Sequence, residues 1–267
     1  MRFSLSRVAV TAILVLGLAA CGDSPTGGNN NQEAQLAASA DVTVEASGYI
    51  ETAATAYSFA NIVPGLTKSA AIFAGCPNFY FNLQARQFTL DYGSGCTGKD
   101  GRTRSGTITV QFSGKLPAGA TLTLTYNNYK TNNKTFSGQI TATISNSNTI
   151  ALVINNATVT DDNGTATVNA NLTMTANLNN TPQAPDDDVY AISGAGTVNE
   201  GGKTYSFTIS DPLLFQVGCN FPTSGKMTIT TTNSPDATID FFPDNGGCDD
   251  VAVVIIGGAS KRIMLGA

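Results

Sequence analysis

Alternation at every second residue constrains this chain more than any other feature. Between residues 165 and 176, Ala166, Val168, Ala170, Leu172, Met174 and Ala176 are apolar, and the positions between them are Thr and Asn. A period of two puts these side chains on one face of an extended strand; on a helix the same residues would scatter around the axis. The period recurs in 106–112 through Ile108, Val110 and Phe112, in 121–126 through Leu122, Leu124 and Tyr126, and in 140–144 through Ile140, Ala142 and Ile144. Asp161-Asp162-Asn163-Gly164 supplies residues that tolerate positive backbone dihedrals, so 150–160 and 165–176 read as the two arms of a hairpin. Residues 131–134 and 199–202 read as further turns, the latter between strands 190–198 and 203–210. The fold class is therefore all-β, with antiparallel hairpins whose dry faces need cover. A sandwich or a strongly curled sheet provides it. The Ala-rich segments 34–40 and 50–60 are the exceptions and are expected as short N-terminal helices, the second placing Tyr57 near Ala53 and Ile50 near Ala54 on successive turns.

The first residues do not belong to that fold. Arg2 and Arg7 precede an apolar run from Val8 to Ala20, which has the charge order and length of a signal peptide. Thirteen residues rising about 1.5 Å each fall short of a hydrocarbon core about 30 Å thick, so the run targets the chain rather than spanning a membrane. Leu18-Ala19-Ala20-Cys21 closes it and resembles the lipobox of bacterial lipoproteins. That resemblance implies lipid on Cys21 and removal of residues 1–20. The alternative is an ordinary signal peptide cut after Ala20, with an unmodified cysteine. Residues 21–33 are polar and rich in Gly and Asn, too poor in apolar surface to fold alone, and are expected as a tether. Residues 34–267 form the β-rich domain, with one core or two pseudo-symmetric parts sharing it. In the sorting pattern of diderm lipoproteins an aspartate directly after the cysteine favours the inner membrane; Gly22 stands there, so the resemblance implies an outer-membrane, lipid-anchored protein facing the periplasm or the surface.

With Cys21 assigned to lipid, Cys76, Cys96, Cys219 and Cys248 are an even set in an oxidising compartment and read as two disulfides. A four-thiolate zinc site is the rival, but neither half offers a C-x₂₋₄-C knuckle. Four cysteines allow three connectivities. Sequential pairing, Cys76 with Cys96 and Cys219 with Cys248, closes short loops and follows an internal echo. In each half a cysteine is followed by Thr-apolar-Asp-aromatic (Thr89-Leu90-Asp91-Tyr92; Thr238-Ile239-Asp240-Phe241), then by Gly95-Cys96 or Gly247-Cys248.

Absences narrow the chemistry. The chain has no histidine, which removes Ser-His-Asp, Cys-His and zinc-histidine catalysis together. Its net charge is −5, and loss of Arg2 and Arg7 makes it more negative, so no nucleic-acid partner is expected. Lys99, Arg102 and Arg104 form the one small basic cluster and read as a solvated turn. No Gly-rich stretch spells a phosphate-binding loop, and no cofactor is expected. Carboxylate chemistry remains: Asp91 and Asp240 would suit a glycan hydrolase if they faced one cleft, and otherwise cap their own turns. Asp186-Asp187-Asp188, and Asp244 with Asp249-Asp250, are acidic turns with oxygen density suited to calcium. They lack the EF-hand pattern, so no metal ligand is assigned and solvated turns are expected.

Several further segments, Asp91-Tyr92-Gly93, Cys96-Thr97-Gly98, Asp100-Gly101-Arg102, Arg104-Ser105-Gly106, Ile192-Ser193-Gly194 and Gly247-Cys248-Asp249, are similar to uncharacterised β-rich surface lipoproteins of Bacteroidetes-like bacteria. The likeness runs over much of 70–265 and implies a fold rather than an activity. The expected role is a non-catalytic binding or structural module, held to a membrane by lipid, with a protein or glycan as its ligand class. The alternative is a carboxylate-dependent glycan hydrolase. No residue is assigned as catalytic.

Overall fold

The computed structural model describes residues 30–65, 70–73, 76–98, 100–146, 148–178, 188–216, 219, 221–242 and 247–265. One helix, α1 (Asn30–Ile62), comes first. The strands that follow are β1 (Ala70–Phe73), β2 (Asn78–Asn82), β3 (Gln87–Asp91), β4 (Cys96–Thr97), β5 (Thr103–Ser113), β6 (Thr121–Thr131), β7 (Lys134–Ser137) and β8 (Gln139–Ile144). They continue as β9 (Thr149–Asp161), β10 (Gly164–Asn177), β11 (Val189–Glu200), β12 (Lys203–Gln216), β13 (Ser224–Thr231), β14 (Ala237–Asp240), β15 (Val251–Ile256) and β16 (Ala259–Met264). All belong to a single 16-stranded antiparallel sheet that follows chain order. The short β4 pairs with β5 alone, while β7 and β8 lie end to end between β6 and β9.

The alternation in the sequence is the alternation in the sheet. Ile108, Val110 and Phe112 on β5, Leu122, Leu124 and Tyr126 on β6, and the apolar residues of β10 from Ala166 to Ala176 are all buried, on the side where α1 lies. The expected hairpin closes between Asp161 and Gly164, where Asp161 Oδ1 accepts the Asn163 N–H at 2.8 Å. Turns also close at the expected places between β6 and β7 and between β11 and β12. The fold class holds: antiparallel hairpins in one curled sheet.

What covers the dry face is the helix, and here two expectations are corrected. Instead of two short helices there is one of 33 residues, and it starts at Asn30, inside the segment expected as a tether. Val42, Thr43, Val44 and Gly48, which interrupt the Ala-rich pattern, each weaken an isolated helix by about 0.5–1 kcal/mol. Burial outweighs that. Val42, Ala46, Tyr49, Ala53, Ala56 and Ala60 follow one buried stripe, and Ile50, Ala54 and Tyr57 follow another. A helix apolar on more than one side is stable only when enclosed, and α1 packs against β6, β9, β10, β11, β14 and β15. Gly48 is a packing residue: a Cβ there would sit 2.4 Å from the ring of Phe136.

Enclosing a helix requires the strands to bend, and bulges supply the bend. At the break between β5 and β6, Gly106 has φ +81° and a Cβ would lie 2.2 Å from the Asn128 carbonyl; at the break between β12 and β13, Gly225 has φ +104° and a Cβ would lie 2.3 Å from the Pro212 carbonyl. Only glycine fits both the dihedral and the contact. Early and late parts of the chain meet where the Arg102 guanidinium, between β4 and β5, lies 4.9 Å from the centre of the Phe221 ring, just before β13.

Candidate functional site

Polar side chains pin α1 along its length. The Tyr49 hydroxyl lies 2.9 Å from the Ser137 carbonyl and 2.8 Å from that of Thr158, donating between them. One turn on, the Thr52 hydroxyl meets that of Tyr126 at 2.6 Å. Glu51 faces the turn between β4 and β5: Arg102 donates to its Oε2 at 2.9 Å, and Arg104 donates to its Oε1 and, at 3.0 Å, to Asp100 Oδ1. This corrects the reading of the basic cluster. Arg104 is only 6% exposed and lies with Arg102, Glu51 and Asp100 in a part-buried ion-pair network, not a solvated turn; Lys99 lies outside the described residues. Burial would raise the Asp100 carboxyl, but hydrogen bonds from Arg104 and that residue's charge hold it below the usual range. The partner that makes the difference, Glu51, is some fifty residues away in sequence, on an element expected only as a short helix.

Beside this network opens a polar cleft of about 340 Å³. Asp41, Val44 and Gly48 of α1 form one wall; Thr131 and Lys134, from the turn joining β6 and β7, and Asp161, from the next hairpin, form another. Lys134 Nζ bonds Asp161 Oδ2 at 2.6 Å, and that hydrogen bond, ahead of the cost of desolvation, holds Asp161 below its ordinary value. Glu45 lies between Asp41 and Gly48 on the same stripe of the helix but is not among the residues that line the cleft. It is 3% exposed, and its Oε2 has no hydrogen-bond partner among the described residues. Burial first, then the charge of Glu200, push its carboxyl up to about 8. Burial likewise raises Asp41 and Glu200. Thr131 Oγ1, in the opposite wall, is also buried and unpartnered. The sequence reading missed this cleft, because its groups come from a helix and two hairpin turns that only the curled sheet brings together.

The acids singled out in the sequence go elsewhere. Asp91 Oδ1 accepts the Gly93 N–H at 2.8 Å, and Asp240 Oδ1 accepts the Phe242 N–H at 3.0 Å, so each caps its own turn. Asp240 also pairs with Lys226 at 3.2 Å. Neither lines the cleft. The echo between the halves is local: Tyr92 N–H bonds the Gly106 carbonyl and Phe241 N–H bonds that of Gly225, but the first glycine follows its aspartate in the chain and the second precedes it. The cysteines pair as Cys76–Cys96 and Cys219–Cys248, each bridge enclosing one hairpin, β2–β3 or β13–β14.

Asp188 is a further correction, since it is buried rather than solvated: its Oδ2 accepts from Ser58 Oγ at 2.8 Å and from the Tyr190 hydroxyl at 3.2 Å. Asp249 accepts the Val251 N–H at 3.0 Å. Cys21, Asp186, Asp187, Asp244 and the signal peptide lie outside the described residues. Among the described residues no three carboxylates or cysteines are arranged to hold a metal ion, and no helix is long and apolar enough to cross a membrane. No protein-family model, curated protein or solved structure matches the chain.

Proposed function

We propose that this is a lipid-anchored lipoprotein of the bacterial envelope, on the outer membrane, acting as a non-catalytic binding or structural module. The observation that carries the reading is how the fold uses its surfaces. The dry face of the sheet is filled by α1, and the 340 Å³ cleft is walled by hairpin turns and one helix stripe. Turn-built recesses on a rigid scaffold are where binding residues concentrate. Asp91 and Asp240, the pair a glycan hydrolase would need, are each engaged with a backbone N–H two residues on.

The anchor rests on Leu18-Ala19-Ala20-Cys21, which leads within nine residues into the buried helix. Two or more acyl chains give stable attachment where one is marginal. Intact-mass measurement of membrane-extracted protein is expected to show a chain beginning at Cys21 and carrying acyl mass; an unmodified terminus sinks the anchor. A glycan-hydrolysis screen is expected to show no turnover. Reproducible turnover that disappears in a folded Asp91→Asn, Asp240→Asn double variant would replace the binding module with the hydrolase.

A further inference from the structure

We infer, resting on the reading of Cys21 as lipidated, that the outer face of β14–β16 lies against the lipid surface through Phe242, Val251, Val253, Ile255 and Met264. Residues 251–256, Val-Ala-Val-Val-Ile-Ile, are apolar without interruption, and a strand of that kind is expected to be covered on both faces. The fold covers one. Ala252, Val254 and Ile256 are buried on the side of α1, whereas Val251, Val253 and Ile255 point the other way and stay partly exposed. Beside them, Met264, opposite Val251 on β16, is 58% exposed, and Phe242, two residues beyond β14, is 49% exposed. On the preceding strands the row that reaches Ile255 is hydroxyl: Thr208 on β12, Thr228 on β13 and Thr238 on β14. The exposed Val153 of β9 stands alone between Thr141 and Asn171. Single apolar residues are ordinary on a surface; a group on neighbouring strands marks an interaction face.

The tether decides the occupant. The nine steps of chain from Cys21 to Asn30 span at most about 30 Å even when extended. Five residues into α1, Gln35 donates to the Pro235 carbonyl, in the turn that leads into β14, and α1 packs against β14 and β15. β15 and β16 lie one and two strand spacings beyond β14, about 5 and 10 Å. Lipid on Cys21 therefore keeps this end of the sheet within a tether's length of the bilayer, and this end carries the apolar group. A second copy suits it less well. Lys261 and Arg262 sit on β16, the outermost strand, where basic side chains oppose extension of the sheet by another strand. Charge does not drive the contact either: Asp240 is paired with Lys226, and the chain is negative overall, which disfavours anionic lipid. The fit is to a zwitterionic surface, with the apolar side chains at the boundary of headgroups and acyl chains and Arg262, opposite Val253, among the headgroups.

The chain has no tryptophan, so one introduced indole reports alone. Phe242→Trp places it in the apolar group, and Tyr80→Trp, exposed on β2, places it elsewhere on the sheet. Each mature chain is coupled through the thiol of Cys21, the cysteine outside the two disulfides, to maleimide-headed lipid in phosphatidylcholine vesicles, with and without bromine on the acyl chains. The synthetic link makes docking independent of whether the cell acylates Cys21. Expected is a blue shift and an at least about twofold loss of Phe242→Trp emission on brominated lipid, as for a side chain about 5–10 Å into the interface. High salt is expected to leave the loss in place, Tyr80→Trp to show neither change, and Met264→Glu, added to Phe242→Trp, to abolish the loss. Equal Phe242→Trp emission on both lipids overturns the proposal, as does quenching that salt reverses, that Met264→Glu leaves unchanged, or that both indoles share. A dimer of the uncoupled mature chain in sedimentation that Met264→Glu dissolves also overturns it and assigns the face to a second copy. Should Met264→Glu not fold, Met264→Ser takes its place under the same criteria. The acyl-mass measurement reports on the anchor separately: acyl mass without quenching keeps the anchor and loses the face, and quenching without acyl mass keeps the face and loses the anchor.

Discussion

Glu45 and Gly48 stand three residues apart on one stripe of α1; Gly48 runs against what an isolated helix prefers, and Glu45 against what a buried position prefers. The Glu45 carboxyl titrates near 8 in the fold against about 4.5 free. Its raised value means that the folded state binds the proton more tightly, so stability is full below about pH 4.5, declines as pH rises, and is lowest above about pH 8. Asp41 and Glu200 are raised and act in the same sense, whereas Asp100 and Asp161 are lowered and withdraw their stabilisation in acid. Thermal melts are expected to place the optimum near about pH 4–5, on the acid side of neutrality. Glu45→Gln should stabilise the protein at pH 8 by on the order of 3 kcal/mol and change little at pH 5, and equal effects at both pH values would remove Glu45 as the source. Gly48→Ala separates propensity from packing. On an exposed helix it gains about 1 kcal/mol, but here the new methyl meets the Phe136 ring, and displacing a packed ring costs about 1–3 kcal/mol. Denaturant unfolding is expected to show net destabilisation; a stabilised variant would mean that Phe136 yields freely.

At the scale of elements, strands were legible and the helix only partly so, for one physical reason. A strand writes its burial into neighbouring residues: Leu122 and Leu124, or Ile140 and Ala142, state their face within a few positions. An enclosed helix is buried on several faces, so α1 has almost no amphipathic stripe to read. Val42 and Gly48 then looked like interruptions, because what favours them, a sheet wrapped around the helix, lies up to two hundred residues away in sequence. The same distance hid the function of Arg104. Read locally it was one of three basic residues in a Gly-rich turn; folded, it bridges Glu51 of α1 and Asp100 of its own turn. Removing one partner of a buried network leaves the others uncompensated, which typically costs about 3–5 kcal/mol. Arg104→Ala is accordingly expected to lower stability by several kcal/mol in chemical denaturation, and Arg104→Lys to recover part of it by restoring charge without the two-oxygen geometry. A loss below about 1 kcal/mol would mean that the network is solvated after all.

For the whole molecule, the question is what holds the two ends of a 16-stranded open sheet around one helix. β1 and β16 are the outermost strands of the path, and each disulfide lies near one end of it: Cys76–Cys96 around β2–β3 and Cys219–Cys248 around β13–β14. The pairing could be read in the sequence because it is local, with separations of 20 and 29 residues. Its role in the architecture could not, because that depends on which strands finish the sheet. On the chain-entropy estimate, loops of this length stabilise by about 3–4 kcal/mol each. The two bridges are nevertheless expected to differ in reach. The first encloses the hairpin whose Phe79 stacks on Phe59 of α1, at 4.8 Å between ring centres, so its loss should loosen the C-terminal part of the helix. The second encloses strands that pack against α1 through β14, and Phe221, which meets Arg102, follows Cys219 by two residues. Its loss should therefore loosen both the last strands and the turn that carries Arg102. Hydrogen exchange on the Cys76→Ser, Cys96→Ser and the Cys219→Ser, Cys248→Ser variants is the measurement. Faster exchange confined to β1–β3 and residues 57–62 is expected for the first variant, and faster exchange in both β13–β16 and residues 100–104 for the second. If the second variant leaves residues 100–104 protected, the Arg102–Phe221 contact does not couple the two ends.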